Sequence, residues 1–319
     1  MVTILITGGA GFIGSNFVRL FNKKINAIVF DKLTYAGNPE NLSGVDRIFV
    51  QGDIADRNAL ENVIAEHKPT AIVNFAAETH VDRSIYGDTG EFVRTNVVGV
   101  QTLLEVMRAH PEITRLVQVS TDEVYGDTAL DSREMFSELS PVRPSSPYSA
   151  SKAAGDLLCL AYRRTYDTPV IITRGSNTYG PYHYPEKIIP LFILKMLEGK
   201  QMPVYGIGAN IRDWMFVEDH CRGVLAVLEH GKLGEIYNIS ADQYQSNLEV
   251  ARMIAKAFGK GDEAIEFVTD RPGHDLRYAP DASKIKAELG WLPTVQFEEG
   301  LAKTIEWFKN NQAWLSKIK

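Results

Sequence analysis

The chain has 319 residues, which suffices for one cofactor domain plus a smaller lobe with a buried core. Its composition, 45% hydrophobic and 23% charged, is that of an ordinary globular protein. The net charge of −6 and the pI near 5.7 argue against a broad surface for nucleic acid or anionic membrane, because both require a basic face. A small anionic ligand held by a few local donors remains compatible with these values.

Nothing in the sequence indicates export, a membrane span or a metal site. Met1–Thr7 reads as a buried strand with glycines directly after it, unlike a signal peptide. No apolar run approaches the roughly 20 residues that cross a bilayer. The two cysteines, Cys159 and Cys221, have no CxxC or metal-ligand spacing, and Cys159 lies in an apolar run typical of a core. The sequence predicts a soluble cytoplasmic protein without a metal.

In the first half of the chain, short apolar runs alternate with helical patterns. This alternation predicts βαβ units that form a parallel sheet with helices on both faces, a Rossmann-type doubly wound α/β fold. Ligands then bind at the sheet edge where the strands have their carboxyl ends. The predicted elements, in order, are strand Val2–Ile6, a helix through Phe21, strands Ala27–Phe30 and Arg47–Val50, helix Arg57–His67, strand Ala71–Phe75, a helical stretch around Glu91–Ala109 and strand Leu116–Val119.

After about Arg174 the sequence becomes rich in proline and glycine, which predicts a smaller C-terminal α/β lobe. We expect a dinucleotide-binding domain over residues 1–175, joined by about 212–240, and a substrate lobe from 176–211 and 241–319. Leu301–Trp314 has apolar residues at helical spacing and predicts an amphipathic closing helix.

A glycine-rich turn follows the first strand. Gly9, Gly11 and Gly14 match G-x-G-x-x-G, and Gly8 with the last two matches G-x-x-G-x-x-G. Such glycines let backbone N–H groups approach a pyrophosphate at a helix N-terminus, although an isolated motif can be a simple turn. Asp31 ends the next strand, where an acid binds ribose hydroxyls and repels a 2′-phosphate. The sequence predicts NAD binding in preference to NADP, with Asp53 near the adenine.

Tyr148 and Lys152 form a Tyr-x-x-x-Lys pair, whose side chains share one helix face. A nearby ammonium favours phenolate and would lower the pKa of Tyr148, as a base for a sugar hydroxyl requires. The pair acquires meaning from Thr121, which ends the strand Leu116–Val119 and can lie beside Tyr148. A surface pair next to a polar loop is the alternative interpretation.

The chain resembles the extended short-chain dehydrogenases/reductases that act on nucleotide sugars, and within them the 4,6-dehydratases. The resemblance runs nearly from end to end. It rests on Thr7–Gly14, Asp31–Asn38, Ala76–Ser84, Thr121–Gly126, Pro147–Lys152, Pro185–Lys187, Arg212–Trp214 and Arg271–Asp275. Asp122-Glu123 is the most informative part, because related epimerases have small or hydroxyl residues there and related decarboxylases keep a glutamate beside a serine.

The resemblance implies a hydro-lyase that converts dTDP-glucose to its 4-keto-6-deoxy product in three steps. Tyr148 takes the C4 hydroxyl proton as hydride passes to NAD, Glu123 as base and Asp122 as acid eliminate water across C5–C6, and hydride returns to C6. The alternatives are a UDP-sugar 4,6-dehydratase, a 4-epimerase, a decarboxylase or a non-catalytic NAD-binding protein. Adjacent carboxylates alone would more often be a solvated loop.

The resemblance also implies the remaining site residues and a homodimer built on the helices around Glu91–Ala109 and Ser149–Thr165. Lys187 and Arg212 suit a diphosphate, although either could be a surface cation. The implied NAD-binding residues are Gly8, Gly11, Phe12, Ile13, Gly14, Asp31, Lys32, Thr34, Asp53, Ile54, Ala76, Ala77, Thr95, Tyr148, Lys152 and Thr178. The implied substrate-binding residues are Thr79, Thr121, Asn177, Lys187, Tyr205, Arg212, Asn247, Arg271 and His274.

The chain departs from the family pattern in three places. Asn177-Thr178 stands where the family has paired asparagines, Gly206-Ile207-Gly208 where it has Gly-Asp-Gly, and Ser240-Ala241 where it has two glycines. The first is expected on the cofactor side and the other two near the nucleotide pocket. These departures leave open which nucleotide base or sugar is preferred. They do not change the expected dehydration chemistry.

Overall fold

The computed structural model describes residues 1–318. Its strands are β1 Val2–Thr7, β2 Ile25–Asp31, β3 Ile48–Gln51, β4 Ala71–Asn74, β5 Arg115–Thr121, β6 Val170–Gly175, β7 Asn177–Tyr179, β8 Met202–Tyr205, β9 Ile211–Phe216, β10 Ile236–Ile239, β11 Tyr244–Ser246 and β12 Ile265–Val268. Its helices are α1 Phe12–Phe21, α2 Arg57–His67, α3 Val81–Tyr86, α4 Thr89–Val93, α5 Val100–Ala109, α6 Pro147–Tyr166, α7 Ile188–Leu197, α8 Val217–His230, α9 Asn247–Ala257, α10 Ser283–Leu289, α11 Phe297–Asn310 and α12 Gln312–Lys317.

Seven parallel strands form the central sheet in the order β10-β6-β5-β4-β1-β2-β3. The order reverses between β1 and β4, and at this switch point the loops after the two strands diverge. The predicted Rossmann-type α/β fold is therefore confirmed, and all seven strands end at the same edge.

Both faces of the sheet are buried, which explains the nearly continuous apolar runs of its strands. Along β1, Ile4 and Ile6 pack toward α1 and α8, whereas Leu5 packs toward the layer formed by α2, α5 and α6. Cys221 and Cys159 lie in these two opposite layers, and both thiols are free.

Several helices begin at polar caps that the sequence supplies, among them α2, α6 and α9. Ser146 and Ser149 form a capping box at the start of α6, with Pro147 as its first residue. The predicted helix around Glu91–Ala109 is α4 and α5 joined by a π-helical stretch, Arg94–Gly99. No helix within residues 1–318 is both long and apolar enough to cross a bilayer.

The remaining strands form two small sheets beside the central one. β9 pairs with β7 in parallel and with β11 in antiparallel fashion, and β12 pairs with β8 in parallel. The helices α7, α9, α11 and α12 pack with them around a second apolar cluster. Within the segment 212–240, β10 and α8 lie on the central sheet, whereas β9 belongs to the three-stranded sheet. The domain limits themselves stay a prediction.

Candidate active site

The glycine-rich turn between β1 and α1 brings backbone close to backbone. Gly8 has φ +68°, and a Cβ on it would lie 2.4 Å from the backbone nitrogen of Ala76. A Cβ on Gly14 would lie 2.4 Å from the carbonyl oxygen of Gly8. No side chain fits at either position, so the turn leaves the N-terminus of α1 accessible, as anion binding requires.

Asp31 ends β2 beside this turn and is buried. Its carboxylate accepts hydrogen bonds from the backbone N–H of Ala10 at 2.9 Å and of Leu33 at 2.8 Å. Burial raises the pKa of Asp31, and these two hydrogen bonds oppose that effect. The carboxylate is thus rigidly placed at the mouth of the turn, where it can accept from ribose hydroxyls.

The cleft has two connected halves. The glycine-loop half is lined by side chains and backbone from the ends of β1, β2, β3 and β4, together with Thr95 from the π-helical stretch. Asp53 here pairs with Lys32 and Arg94, each at 3.1 Å. Ten predicted cofactor residues lie in this half, namely Gly8, Gly11, Asp31, Lys32, Thr34, Asp53, Ile54, Ala76, Ala77 and Thr95.

The carboxylate half lies beyond the glycine turn, along the ends of β5 and β6. It is lined by the five predicted catalytic residues together with the side chains or backbone of further predicted positions. These are Phe12, Ile13, Gly14, Thr79, Thr121, Asp122, Glu123, Tyr148, Lys152, Asn177, Thr178 and Lys187. The structure thus brings every predicted catalytic and cofactor residue into one cleft.

Thr121, Asp122 and Glu123 occupy the turn where β5 ends. The Thr121 hydroxyl accepts from the backbone N–H of Glu123 at 3.3 Å and donates to Asp122 Oδ1, also at 3.3 Å. Asp122 is 2% exposed, and its Oδ2 has no hydrogen-bond partner among residues 1–318. A buried unpaired carboxyl oxygen is costly, which favours a protonated side chain that can donate to a ligand.

The two carboxyl groups are in different electrostatic surroundings. Burial raises the pKa of Asp122 well above its ordinary value, and the neighbouring Glu123 raises it further. Burial also raises the pKa of Glu123, but Lys187 and Arg212 oppose this effect. Asp122 is therefore the group that more readily stays neutral, and Glu123 the one that more readily carries charge.

Tyr148 and Lys152 lie on one face of α6. The prediction that the Lys152 ammonium lowers the pKa of Tyr148 is wrong for this arrangement. Burial, followed by the charge of Glu123, raises the pKa of Tyr148 well above its ordinary value, and the Thr121 hydroxyl is what lowers it. Lys152 Nζ instead donates to the carbonyl oxygen of Val119 at 2.7 Å, because a buried ammonium requires an acceptor. Burial lowers the pKa of Lys152 to about 8.

Unpaired buried polar atoms mark where the carboxylate half is incomplete as protein alone. Besides Asp122 Oδ2, they include Asn177 Oδ1, His183 Nδ1 and His220 Nε2, all on lining residues. A dinucleotide with a polar nicotinamide end fits this donor and acceptor set, the glycine turn and Asp31. The residues present thus suit NAD.

The predicted substrate residues fall into two groups. Thr79, Thr121, Asn177 and Lys187 line the cleft, where Lys187 Nζ donates to the Thr79 carbonyl oxygen at 2.6 Å. Tyr205, Arg212, Asn247, Arg271 and His274 are not lining residues of the two halves. Among these, Arg271 and Tyr205 both bind Asp82, at 2.7 and 2.9 Å.

Arg212 is 5% exposed, which excludes the surface-cation alternative. Its Nη2 donates to the carbonyl oxygen of Asp275 at 2.8 Å, and its guanidinium lies 4.2 Å above the ring of Tyr278. The charge of Arg212 opposes the rise in pKa of both Glu123 and Asp122.

The three departures have defined structural environments. The Thr178 hydroxyl lies 2.7 Å from His220 Nδ1, on the floor of the carboxylate half. Ile207 is 77% exposed. Ser240 is buried, and its hydroxyl donates to Asp213 at 2.7 Å.

Several lining residues were not predicted. His183, stacked on Phe12 at 4.0 Å, follows Tyr179-Gly180-Pro181, and Glu186 accepts a 2.8 Å hydrogen bond from Tyr35. His220 had a recognisable signal, since it interrupts the apolar face of α8 directly after a strand. Tyr278, whose hydroxyl lies near Glu123, is far from it in sequence and gave none. Asp275, which binds Tyr278, lies in the motif Arg271–Asp275 but was not assigned to the site.

Comparison with known proteins gives one consistent family. Residues 5–304 match the family model described as GDP-mannose 4,6 dehydratase. A dTDP-glucose 4,6-dehydratase of Xanthomonas campestris is 49% identical, covering 100% of this chain and 96% of the relative. The crystal structure of a Streptomyces venezuelae dTDP-glucose 4,6-dehydratase with NAD bound is 46% identical to this chain, with TM-score 0.95. The crystal structure of the Bacillus anthracis dTDP-glucose 4,6-dehydratase, also in complex with NAD, is 47% identical, with TM-score 0.92. Both comparisons cover 100% of each chain. The chain belongs to this family of NAD-dependent nucleotide-sugar 4,6-dehydratases.

Proposed function

We propose that the protein is a hydro-lyase that converts dTDP-glucose to dTDP-4-keto-6-deoxyglucose. The observation that carries the proposal is the pair of adjacent carboxyl groups, the buried Asp122 and the half-buried Glu123, beside Thr121 and Tyr148 in the cleft. Epimerisation needs no group to protonate a leaving hydroxyl, whereas loss of water needs both an acid and a base.

The NAD site is the glycine-loop half together with the floor of the carboxylate half. Gly8, Gly11 and Gly14 would admit the pyrophosphate, and Asp31 would bind the ribose. Lys152, Thr178 and the ring of Phe12 would adjoin the nicotinamide end. NAD, when bound there, supplies the acceptor for the C4 hydride and returns that hydride to C6.

Tyr148 would take the proton of the C4 hydroxyl as C4 is oxidised. Its phenol lies beside the Thr121 hydroxyl, which favours the charged form of the tyrosine. Lys152, one helical turn further along α6, has a pKa of about 8 and can exchange a proton near neutral pH. Substitution of Tyr148 therefore stops the reaction at its first step, the oxidation of C4.

Glu123 and Asp122 would then eliminate water. The C5–H bond breaks, its proton goes to the Glu123 carboxylate, and its electron pair forms the C5–C6 double bond. The C6–O bond breaks as the hydroxyl takes the proton of Asp122 and leaves as water. When the hydride returns to C6, C5 takes back the proton held by Glu123, and Asp122 regains a proton as Tyr148 loses the one it took from the C4 hydroxyl. The surroundings described above favour this assignment, because Asp122 is the more readily neutral group and Glu123 is the one near two cations.

The diphosphate and base would lie beyond the carboxylate half, toward Lys187, Arg212 and Arg271. These cations supply local positive charge in a chain whose net charge is −6. Tyr205, Asn247 and His274 are the further residues we assign to the nucleotide.

Incubation with dTDP-glucose, and separately with UDP-glucose, tests the proposal. We expect the product of the dTDP sugar to be lighter by about 18 Da, one molecule of water. Faster turnover of UDP-glucose would support the proposed dehydration but change the preferred nucleotide base from thymine to uracil. Formation of an isomer of unchanged mass would instead favour an epimerase, and loss of carbon dioxide from a UDP-glucuronate substrate a decarboxylase.

We also propose a cytoplasmic homodimer. The two long helical segments α4–α5 and α6 expose Val98 and Leu157, with exposed fractions of 43% and 56%, whereas Leu158 and Leu160 are partly buried against the protein's own core. Two free buried thiols fit a reducing compartment. Light scattering at micromolar concentration should give twice the chain mass, and Leu157→Lys should give the monomer.

A further inference from the structure

Behind Glu123 lies a buried tyrosine, Tyr278, that none of the steps above uses. It is 2% exposed, and its hydroxyl oxygen lies 3.4 Å from Glu123 Oε2. The same hydroxyl is hydrogen bonded to Asp275 Oδ2, which also accepts a hydrogen bond from Ser145 Oγ at 2.6 Å. Glu123, Tyr278, Asp275 and Ser145 thus form one chain of contacts.

A tyrosine hydroxyl has one proton and therefore cannot donate to both carboxyl groups. Asp275 Oδ2 is the nearer acceptor, and the Ser145 donor stabilises its negative charge. The proton of Tyr278 consequently points toward Asp275. A lone pair of its oxygen then faces Glu123, where it can accept a hydrogen bond only if Glu123 carries a proton.

We propose that Tyr278, oriented by Asp275, is a positioning residue that stabilises the protonated form of Glu123 and thereby strengthens Glu123 as the base of the elimination. The inference rests on the proposed function of Glu123. A base is stronger when the form it reaches after taking the proton has a hydrogen-bond partner, and the 3.4 Å contact provides that partner.

Arg212 holds this tyrosine from the other side. Its guanidinium covers the Tyr278 ring and binds the Asp275 carbonyl oxygen, so the ring of Tyr278 and the backbone of Asp275 share one fixed support. The charged and titratable groups that act on Glu123 or on its immediate neighbours are Asp122, Tyr148, Asp156, Lys187, Arg212, Asp213, Arg271, Asp275 and Tyr278. The three cations favour the charged carboxylate, and the tyrosine opposes them.

Tyr278→Phe removes the hydroxyl and keeps the ring under Arg212. In a single turnover with dTDP-glucose, followed by absorbance of reduced cofactor, the rise should stay within about twofold of wild type. The subsequent decay, which requires the elimination, should slow about tenfold, the usual effect of one lost hydrogen bond. The acid limb of the kcat/KM profile should move to lower pH, because neutral Glu123 has lost its partner.

Asp275→Asn should shift the acid limb in the same direction, because it removes a negative charge that raises the pKa of Glu123 and because it frees the Tyr278 proton to turn toward Glu123 and stabilise the charged carboxylate. It also tests the proposal if Tyr278→Phe does not fold. Tyr237→Phe is the matched control, because that buried tyrosine binds Glu288 at 3.0 Å outside the cleft, and it should change neither rate nor pH profile.

An unchanged decay and acid limb in Tyr278→Phe would overturn the inference, as would equal slowing of rise and decay, which would mean a general structural role. Absence of any dehydration by the wild-type protein would instead contradict the proposed function. The two failures are therefore distinguishable.

Discussion

The glycine-loop half and the carboxylate half of the cleft lie along one sheet edge but are built differently. In the first, the backbone of a single tight turn forms the anion-binding position. The predicted residues lie at or just after the ends of β1, β2, β3 and β4, with Thr95 in the π-helical stretch. In the second, side chains from the end of β5, from α6 and from the loop before α7 meet, and behind Glu123 lies Tyr278, 155 residues further along the chain. Dinucleotide binding thus depends on local geometry, and the elimination depends on tertiary placement of charge.

The largest expected effect separates the two halves completely. Replacing Asp122 by Asn and Glu123 by Gln preserves shape and removes both proton-transferring groups. The double variant should lose product formation by about 10²-fold or more, yet build up reduced cofactor when given the nucleotide sugar. Absorbance and product mass together measure this.

Tyr148→Phe is the complementary control, and it should show neither reduced cofactor nor product. Wild-type turnover by the double variant would remove the main support for a dehydratase. Failure of the folded double variant to form any reduced cofactor would mean that the two halves do not divide the chemistry as proposed.

Arg212→Ala tests the region beyond the carboxylate half, where we place the diphosphate. A charge that binds a remote phosphate contributes equally to ground and transition state, so KM should rise about tenfold or more with a modest change in kcat. Arg252→Ala, which removes an exposed arginine paired with Asp262, should leave KM unchanged. Steady-state kinetics measures both KM values. If Arg212→Ala has the same KM as Arg252→Ala, Arg212 does not bind the phosphate and only supports Tyr278.

The glycine-loop half is tested by cofactor choice. Protein stripped of cofactor should bind NAD about tenfold or more tightly than NADP, because the buried Asp31 carboxylate repels a 2′-phosphate. Asp31→Asn, which has nearly the same shape, should narrow that difference. Calorimetric titration with both nucleotides measures it, and tighter binding of NADP by the wild type would contradict the assignment.

The smallest effect concerns stability. The pKa of Asp122 is raised in the folded protein, so its contribution to stability is full at low pH and is lost as pH rises from the unfolded value toward the folded one. Asp122→Asn, which does not titrate, should therefore melt about 2 °C higher at neutral pH. The difference should vanish below about pH 4, where aspartate in the unfolded chain is protonated. Equal melting curves at both pH values would show that burial of Asp122 costs little.

The sequence by itself determined the alternating strands and helices, the glycine turn with Asp31, and the group of Thr121, Asp122, Glu123, Tyr148 and Lys152. These features can be recognised in the sequence because each depends on residues within one strand–turn–helix unit or on a helical repeat. It also pointed to the family, through motifs spread along the whole chain.

Only the tertiary structure decided how those groups act on one another. The helical repeat correctly put Tyr148 and Lys152 on one face, but the ammonium binds the Val119 carbonyl, and Glu123 has more influence on Tyr148 than Lys152 does. The burial of Arg212 and the contact of Tyr278 with Glu123 likewise follow from packing between distant segments. The physical reason is that burial and charge act through space, over a few ångströms, whatever the separation along the chain.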